Sequence, residues 1–156
     1  ALWGEDAAAA DLALLGCRDD LAAALVTARG AGDAVTAAPL LRALLAVTRR
    51  HGPAPAWIDD ARRLASQAGL PAPLRGPLAL DASRLLGVVG SVVEARELLA
   101  LAEDAAHEAG DDGLWLECRL AEAELCGRTD LAAALTAAEE AGRRLPQGAP
   151  PRRGRR

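Results

Sequence analysis

His51, His107 and Ser91 are the first residues to weigh as a general base, a metal ligand or a nucleophile. Neither histidine stands in His-x-x-x-His or Glu-x-x-His spacing, the patterns that place metal ligands on one helix face. His51 follows Arg49 and Arg50, a placement that suits a helix C-terminus, where cations complement the macrodipole. Ser91 lies in Val89-Gly90-Ser91-Val92, and no glycine follows two places on, as a nucleophile elbow requires. A loop or cap hydroxyl is the expected role. The segment Gly30-Ala31-Gly32-Asp33-Ala34-Val35 begins like a dinucleotide fingerprint but follows a helix rather than a strand and ends in Val. It is expected to be a helix C-cap loop.

The chain contains no Lys, and all 18 basic residues are Arg. A P-loop is excluded, because its Lys contacts the β/γ-phosphates, and Schiff-base chemistry goes with it. The pairs Asp19-Asp20, Asp59-Asp60 and Asp111-Asp112 could serve as paired carboxylates. Each is expected instead to precede or open a helix, where Asp caps well and negative charge is worth roughly 0.3–1 kcal/mol against the dipole. Glu117, Glu122 and Glu124 suit a solvated face first and a partner surface second. Cys17, Cys118 and Cys126 form no disulfide or metal framework. Cys118 and Cys126 lie eight apart, so they can share one face of a helix as small buried hydrophobes. The expectation is a non-catalytic protein with no catalytic residue, cofactor or metal site.

The elements that would carry these residues are helices. Ala (39) and Leu (27) dominate the 156 residues, both strong helix formers. There is one Ile and no Phe or Tyr, which leaves little for a sheet. Lys, Asn and Met are all absent, as a GC-rich coding sequence would produce. A chain without Met is expected to be a processed product or a fragment. The core must be built of Ala, Leu and Val with Trp3, Trp57 and Trp115. Apolar transfer is worth roughly 25 cal/mol per Å², so Ala contributes little and stability must come from close helix–helix approach. No apolar run reaches the roughly 18–20 residues of a membrane span. The N-terminus lacks a signal pattern, and a reducing cytoplasm is the default expectation.

A repeat organises the chain. Asp-Leu-Ala-Ala-Ala-Leu occurs at 20–25 and again at 130–135, with looser copies at Asp60–Leu64 and Glu94–Leu98. The Ala falls at 22, 61, 95 and 132 and the Leu at 25, 64, 98 and 135. Spacings of 39, 34 and 37 fit a helix–turn–helix unit of about 34 residues. Each copy marks the second helix of a hairpin, with first helices expected at about 5–15, 38–50, 78–88 and 114–126. Breaks at 30–33, 52–55, 69–73, 110–113 and Gly127 agree, and Pro39 suits the first turn of its helix. One hairpin cannot bury its own apolar face, so four are expected to stack as an all-α solenoid.

Gly90, Ala95, Leu99 and Ala102 resemble the loop glycine and the small, large and small positions of a tetratricopeptide second helix. Gly127 and Ala132 start alike, whereas Thr136 and Glu139 depart where a large and a small apolar residue belong; Ala22 and Ala61 keep only the first small position. The resemblance spans residues 5–145 and implies a TPR-like repeat domain over 1–145. Leu114–Glu122 running into Gly127–Leu135 is similar, more particularly, to the helical-repeat region of large actinobacterial LuxR-type transcriptional regulators. In that family an ATPase module precedes the repeats and a helix-turn-helix domain follows; neither is carried by this chain. The resemblance implies a protein-interaction or sensor region within a signal-responsive regulator. The same repeat style accompanies kinase and cyclase modules, and a freestanding adaptor holding a partner peptide is the alternative.

Charge is unevenly spread. Residues 1–80 carry 8 Arg and 8 acids, residues 81–142 carry 4 Arg and 14 acids, and residues 143–156 carry 6 Arg and no acid. The segment 146–156, with Pro146, Pro150 and Pro151, is expected to be a disordered tail or linker. Its Arg152, Arg153, Arg155 and Arg156 suit a solubilising linker, weak contact with nucleic acid or another acidic surface, or a targeting signal. No aromatic residue interleaves them, so base stacking has no support.

Overall fold

In the computed structural model, residues 12–13, 15–52, 55–127 and 131–144 are described, and every regular element among them is helical. Among the described residues seven bounded helices follow one another: α1 (Arg18–Gly30), α2 (Ala34–His51), α3 (Pro55–Ala65), α4 (Ala72–Val89), α5 (Val92–Ala109), α6 (Asp112–Gly127) and α7 (Leu131–Arg144). The first helices expected at 38–50, 78–88 and 114–126 lie within α2, α4 and α6. The four motif copies lie on α1, α3, α5 and α7. The expected helix at 5–15 falls almost wholly outside the described residues, as does the segment 146–156.

Three corners share one local design. The N–H of Asp33, Ser91 and Asp111 each donates to the carbonyl five residues back (Ala28, Leu86 and Ala106), at 2.9 Å in all three. Gly32, Gly90 and Gly110 precede them. At Gly32 and Gly110 φ is +69° and +64°, a left-handed turn that closes the carbonyl end of the finished helix without a Cβ penalty. The next residue then caps the new helix. Asp33 Oδ1 accepts from Thr36 N–H at 3.0 Å, and Asp111 Oδ1 from Leu114 N–H at 2.9 Å. These bonds hold the Asp33 carboxyl below its ordinary range, with the Thr36 contact the chief cause.

Two helix starts differ from the sequence expectation. Because Asp33 starts α2, Pro39 lies inside the helix rather than in its first turn, and Pro77 is likewise inside α4. Each ring deprives one first-turn carbonyl of its partner, and those carbonyls belong to the exposed residues Val35 and Pro73. Asp59 and Asp60 lie inside α3, which begins at Pro55, and so do not open a helix. Asp60 instead accepts an ion pair from Arg29 of α1. Asp19 and Asp20 occupy the first turn of α1, as expected.

Every helix packs on the next, and α2–α4, α3–α5 and α4–α6 also touch. Among the described residues no helix reaches further along the chain than that. The central helix α4 meets α2, α3, α5 and α6. Small residues make these contacts close: Ala61, Ala79, Ala82, Ala95, Ala102 and Ala105 are fully buried. Gly76 marks a close crossing, since a Cβ there would sit 2.5 Å from Leu114 Cδ2 and 3.1 Å from Ala105 Cβ. The buried Ser83 hydroxyl donates to the Ala95 carbonyl at 2.7 Å, fixing α4 to the motif position of α5. The repeated Ala is buried at 61 and 95, half-buried at 22 and exposed at 132. On α7 the departures Thr136 and Glu139 are exposed, as is Leu135, so α7 presents an uncovered face.

The two close glycines of α4 should respond oppositely to Ala. Gly76→Ala meets another Cβ that cannot rotate away, and overpacking of about 1–3 kcal/mol outweighs a helix-propensity gain of about 1 kcal/mol. At Gly87 a Cβ meets only Leu125, at 2.5 Å from its Cδ2 and 3.7 Å from its Cγ, and that terminal methyl can turn. Thermal denaturation should therefore give a lower Tm for Gly76→Ala and an unchanged or higher Tm for Gly87→Ala.

Candidate functional site

The first helices α2, α4 and α6 stand side by side, and three clefts follow their shared face. One of about 310 Å³ lies between α2 and α4, bounded by Arg42, Arg49, Asp81 and Leu85. A second, about 260 Å³, continues from Arg42 and Asp81 past Pro77 to Asp111 and Glu117. A third, about 60 Å³, lies between α4 and α6 at Arg84, Val88 and Glu124. Two ion pairs step along the same face: Arg42 Nε to Asp81 at 2.8 Å, then Arg84 Nη1 to Glu117 at 3.1 Å. The α2 end is richer in Arg and the α6 end in Glu. Arg49 makes no hydrogen bond or ion pair with any other described residue.

Ion pairs between elements recur elsewhere. Arg75 on α4 pairs with Glu108 on α5, and Arg29 on α1 with Asp60 on α3. Arg119 on α6 is a hub, bonded to Glu103 of α5 and Glu122 of its own helix, with Glu140 of α7 at 3.6 Å. Its guanidinium lies 6.0 Å from the Trp115 ring centroid. Burial pulls its pKa down, but the charge and hydrogen bond of Glu103, then Glu122 and Glu140, outweigh that and raise it. Its Nε is buried with no hydrogen-bond partner. These pairs went unnoticed in the sequence. A signal was there, because Arg75/Glu108 and Arg84/Glu117 are each 33 residues apart, close to one repeat.

The residues weighed for chemistry are not brought together. His51 is exposed at the end of α2 and His107 is exposed in the last turn of α5. Ser91 stands at the N-cap of α5 without a side-chain cap bond. None of the three lines the clefts along α2, α4 and α6. Among the described residues no group of three His, Cys, Asp or Glu side chains could hold a metal ion. No helix among them is long and apolar enough to cross a membrane. Glu117 and Glu122 are tied into ion pairs, while Glu124 is exposed beside the third cleft. Arg152, Arg153, Arg155 and Arg156 lie outside the described residues. Comparison of the chain with family models, curated proteins and solved structures finds no match.

Cys118 and Cys126 are both buried on α6, and Cys17 is exposed. Burial pushes the Cys118 thiol up to about 12, with Glu103 adding to it and Arg84 and Arg119 opposing. A thiol whose folded pKa is raised stabilises the fold below its ordinary value of 9.0, and that stability fades as pH rises toward 12. Iodoacetamide at about pH 8 should therefore label Cys17 in the native protein and Cys118 only after unfolding. Mass-spectrometric mapping checks this; native labelling of Cys118 at the rate of Cys17 contradicts it.

Proposed function

We propose that this chain is a non-catalytic interaction module, a TPR-like stack of hairpins that holds a partner segment along the face of α2, α4 and α6. The observation that carries the reading is the continuity of that face. Two clefts join at Arg42 and Asp81 and a third lies further along α4 and α6, bordered by ion pairs that leave Arg49 and Glu124 open. Stacks whose elements touch only near neighbours present extended surfaces of this kind. The charge order favours a partner with an acidic residue at the α2 end and a basic one at the α6 end, which fixes its direction. The likeness of Leu114–Glu122 and Gly127–Leu135 to LuxR-type regulators supports placing the module in a signal-responsive transcriptional regulator. There it would relay binding of a protein partner, or of attached domains, to the output. A freestanding adaptor would use the same face.

Selection of peptides from a random displayed library against the folded domain tests this. Selected sequences should place acids and bases at opposite ends. Arg49→Glu and Val88→Asp, both at exposed sites along the clefts, should each weaken those peptides by about tenfold, the effect of about 1.4 kcal/mol, with an unchanged Tm. Peptides that bind but ignore both substitutions would place the partner elsewhere and refute the reading.

A further inference from the structure

We infer that the junction of α1, α2 and α3 is a binding site for a small organic carboxylate with a short apolar body. The inference goes beyond the interaction face, since the junction shares no lining residue with its three clefts. It begins with a comparison of the three first helices at one register. The N–H groups of Ala37, Arg75 and Trp115 donate to Asp33, Pro71 and Asp111, each four residues back, at 3.0, 2.9 and 3.0 Å. These three residues therefore occupy the same position from the starts of α2, α4 and α6. Arg75 extends from there to Glu108 near the end of α5, and Trp115 is buried beneath Arg119. Both bulky side chains fill their hairpin. Ala37 has a single side-chain carbon.

Ala37, itself 1% exposed, lines an open cleft of about 420 Å³ between α1, α2 and α3. Small-molecule sites commonly enclose about 300–1,000 Å³. Ala37, Leu41 and Leu64 form an apolar wall. Of the charged groups around it, Arg29 and Asp60 neutralise each other, and Asp33 is engaged by the Thr36 N–H. The Arg63 guanidinium and the Gln67 amide also line the cavity, and neither side chain makes a hydrogen bond or ion pair with another described residue. One free guanidinium, one free amide and an aliphatic wall fit a carboxylate whose body is a short chain or a ring. A guanidinium fork receives both oxygens of such a group. A phosphate ester is a poorer fit, because Asp60 and Asp33 border the same space and a second negative charge would meet them.

Titration by isothermal calorimetry and amide chemical shifts tests the assignment, with 3-phenylpropanoate and hexanoate as probes beside their amides. The acids should bind with shifts confined to the junction, and the amides about tenfold more weakly, the loss of one charge-assisted bond. Arg63→Gln should cost the acids about tenfold and leave the amides alone, with no change of Tm because Arg63 is exposed. Ala37→Leu, which restores bulk at the empty register, should remove both. A tetrapeptide ending in Phe separates a free acid from a chain terminus; tighter binding of the peptide than of 3-phenylpropanoate would overturn the small-molecule assignment. So would equal affinity for acids and amides, or no junction shift at about 10 mM probe, a concentration that detects even weak sites.

Discussion

Close approach of helices through residues that carry almost no side chain is the constraint on which this structure depends. With no Phe or Tyr in the chain, little apolar area is available per buried residue. Beside its buried Leu side chains, the core gains from dispersion between backbones that lie near one another, which Ala or Gly at a crossing permits. At the α4 crossings this is met by Gly76 against Leu114 and Ala105, and by Ala79 and Ala82 with no exposed surface. Ser83 fits because its hydroxyl is satisfied by the Ala95 carbonyl, whose own side chain is small enough to bring the two helices together. A larger residue at 95 would separate them and leave a buried hydroxyl without a partner.

Electrostatics operates around that core rather than inside it. The inter-helix ion pairs lie at partly exposed edges, where each contributes modestly and together they set register. Arg119 differs. One guanidinium serves three carboxylates from α5, α6 and α7, so a single positive charge ties together three helices whose carboxylates outnumber it. The acidic excess of residues 81–142 is thus partly absorbed by structure, while Glu124 stays exposed beside the cleft between α4 and α6.

Much of the fold was legible because two signals agreed: helix-forming composition and a repeated Ala–Leu pair at 22/25, 61/64, 95/98 and 132/135. Helix identity and order followed from these. The starts of helices were less legible. Pro39 looked like a first-turn residue until Asp33, three residues before Thr36, took the cap, and Asp59-Asp60 looked like a cap although Pro55 already begins that helix. Burial at the last copy could not be read either, since Ala132 and Leu135 repeat the motif in full yet are exposed, with no further described helix over them. Of the candidate sites, neither the face of α2, α4 and α6 nor the junction at Ala37 is a motif. Each exists only where residues about one repeat apart in the chain are set side by side.

Native-state hydrogen exchange measures the central claim directly, because a stack held by close contacts between neighbours opens from its ends. Amides of α4 and α5, joined at Gly76, Ser83 and Ala95, should exchange most slowly, with protection falling through α2 and α6 to α1 and α7. Uniform protection across all seven helices, or protection of α7 equal to that of α4, would contradict the account.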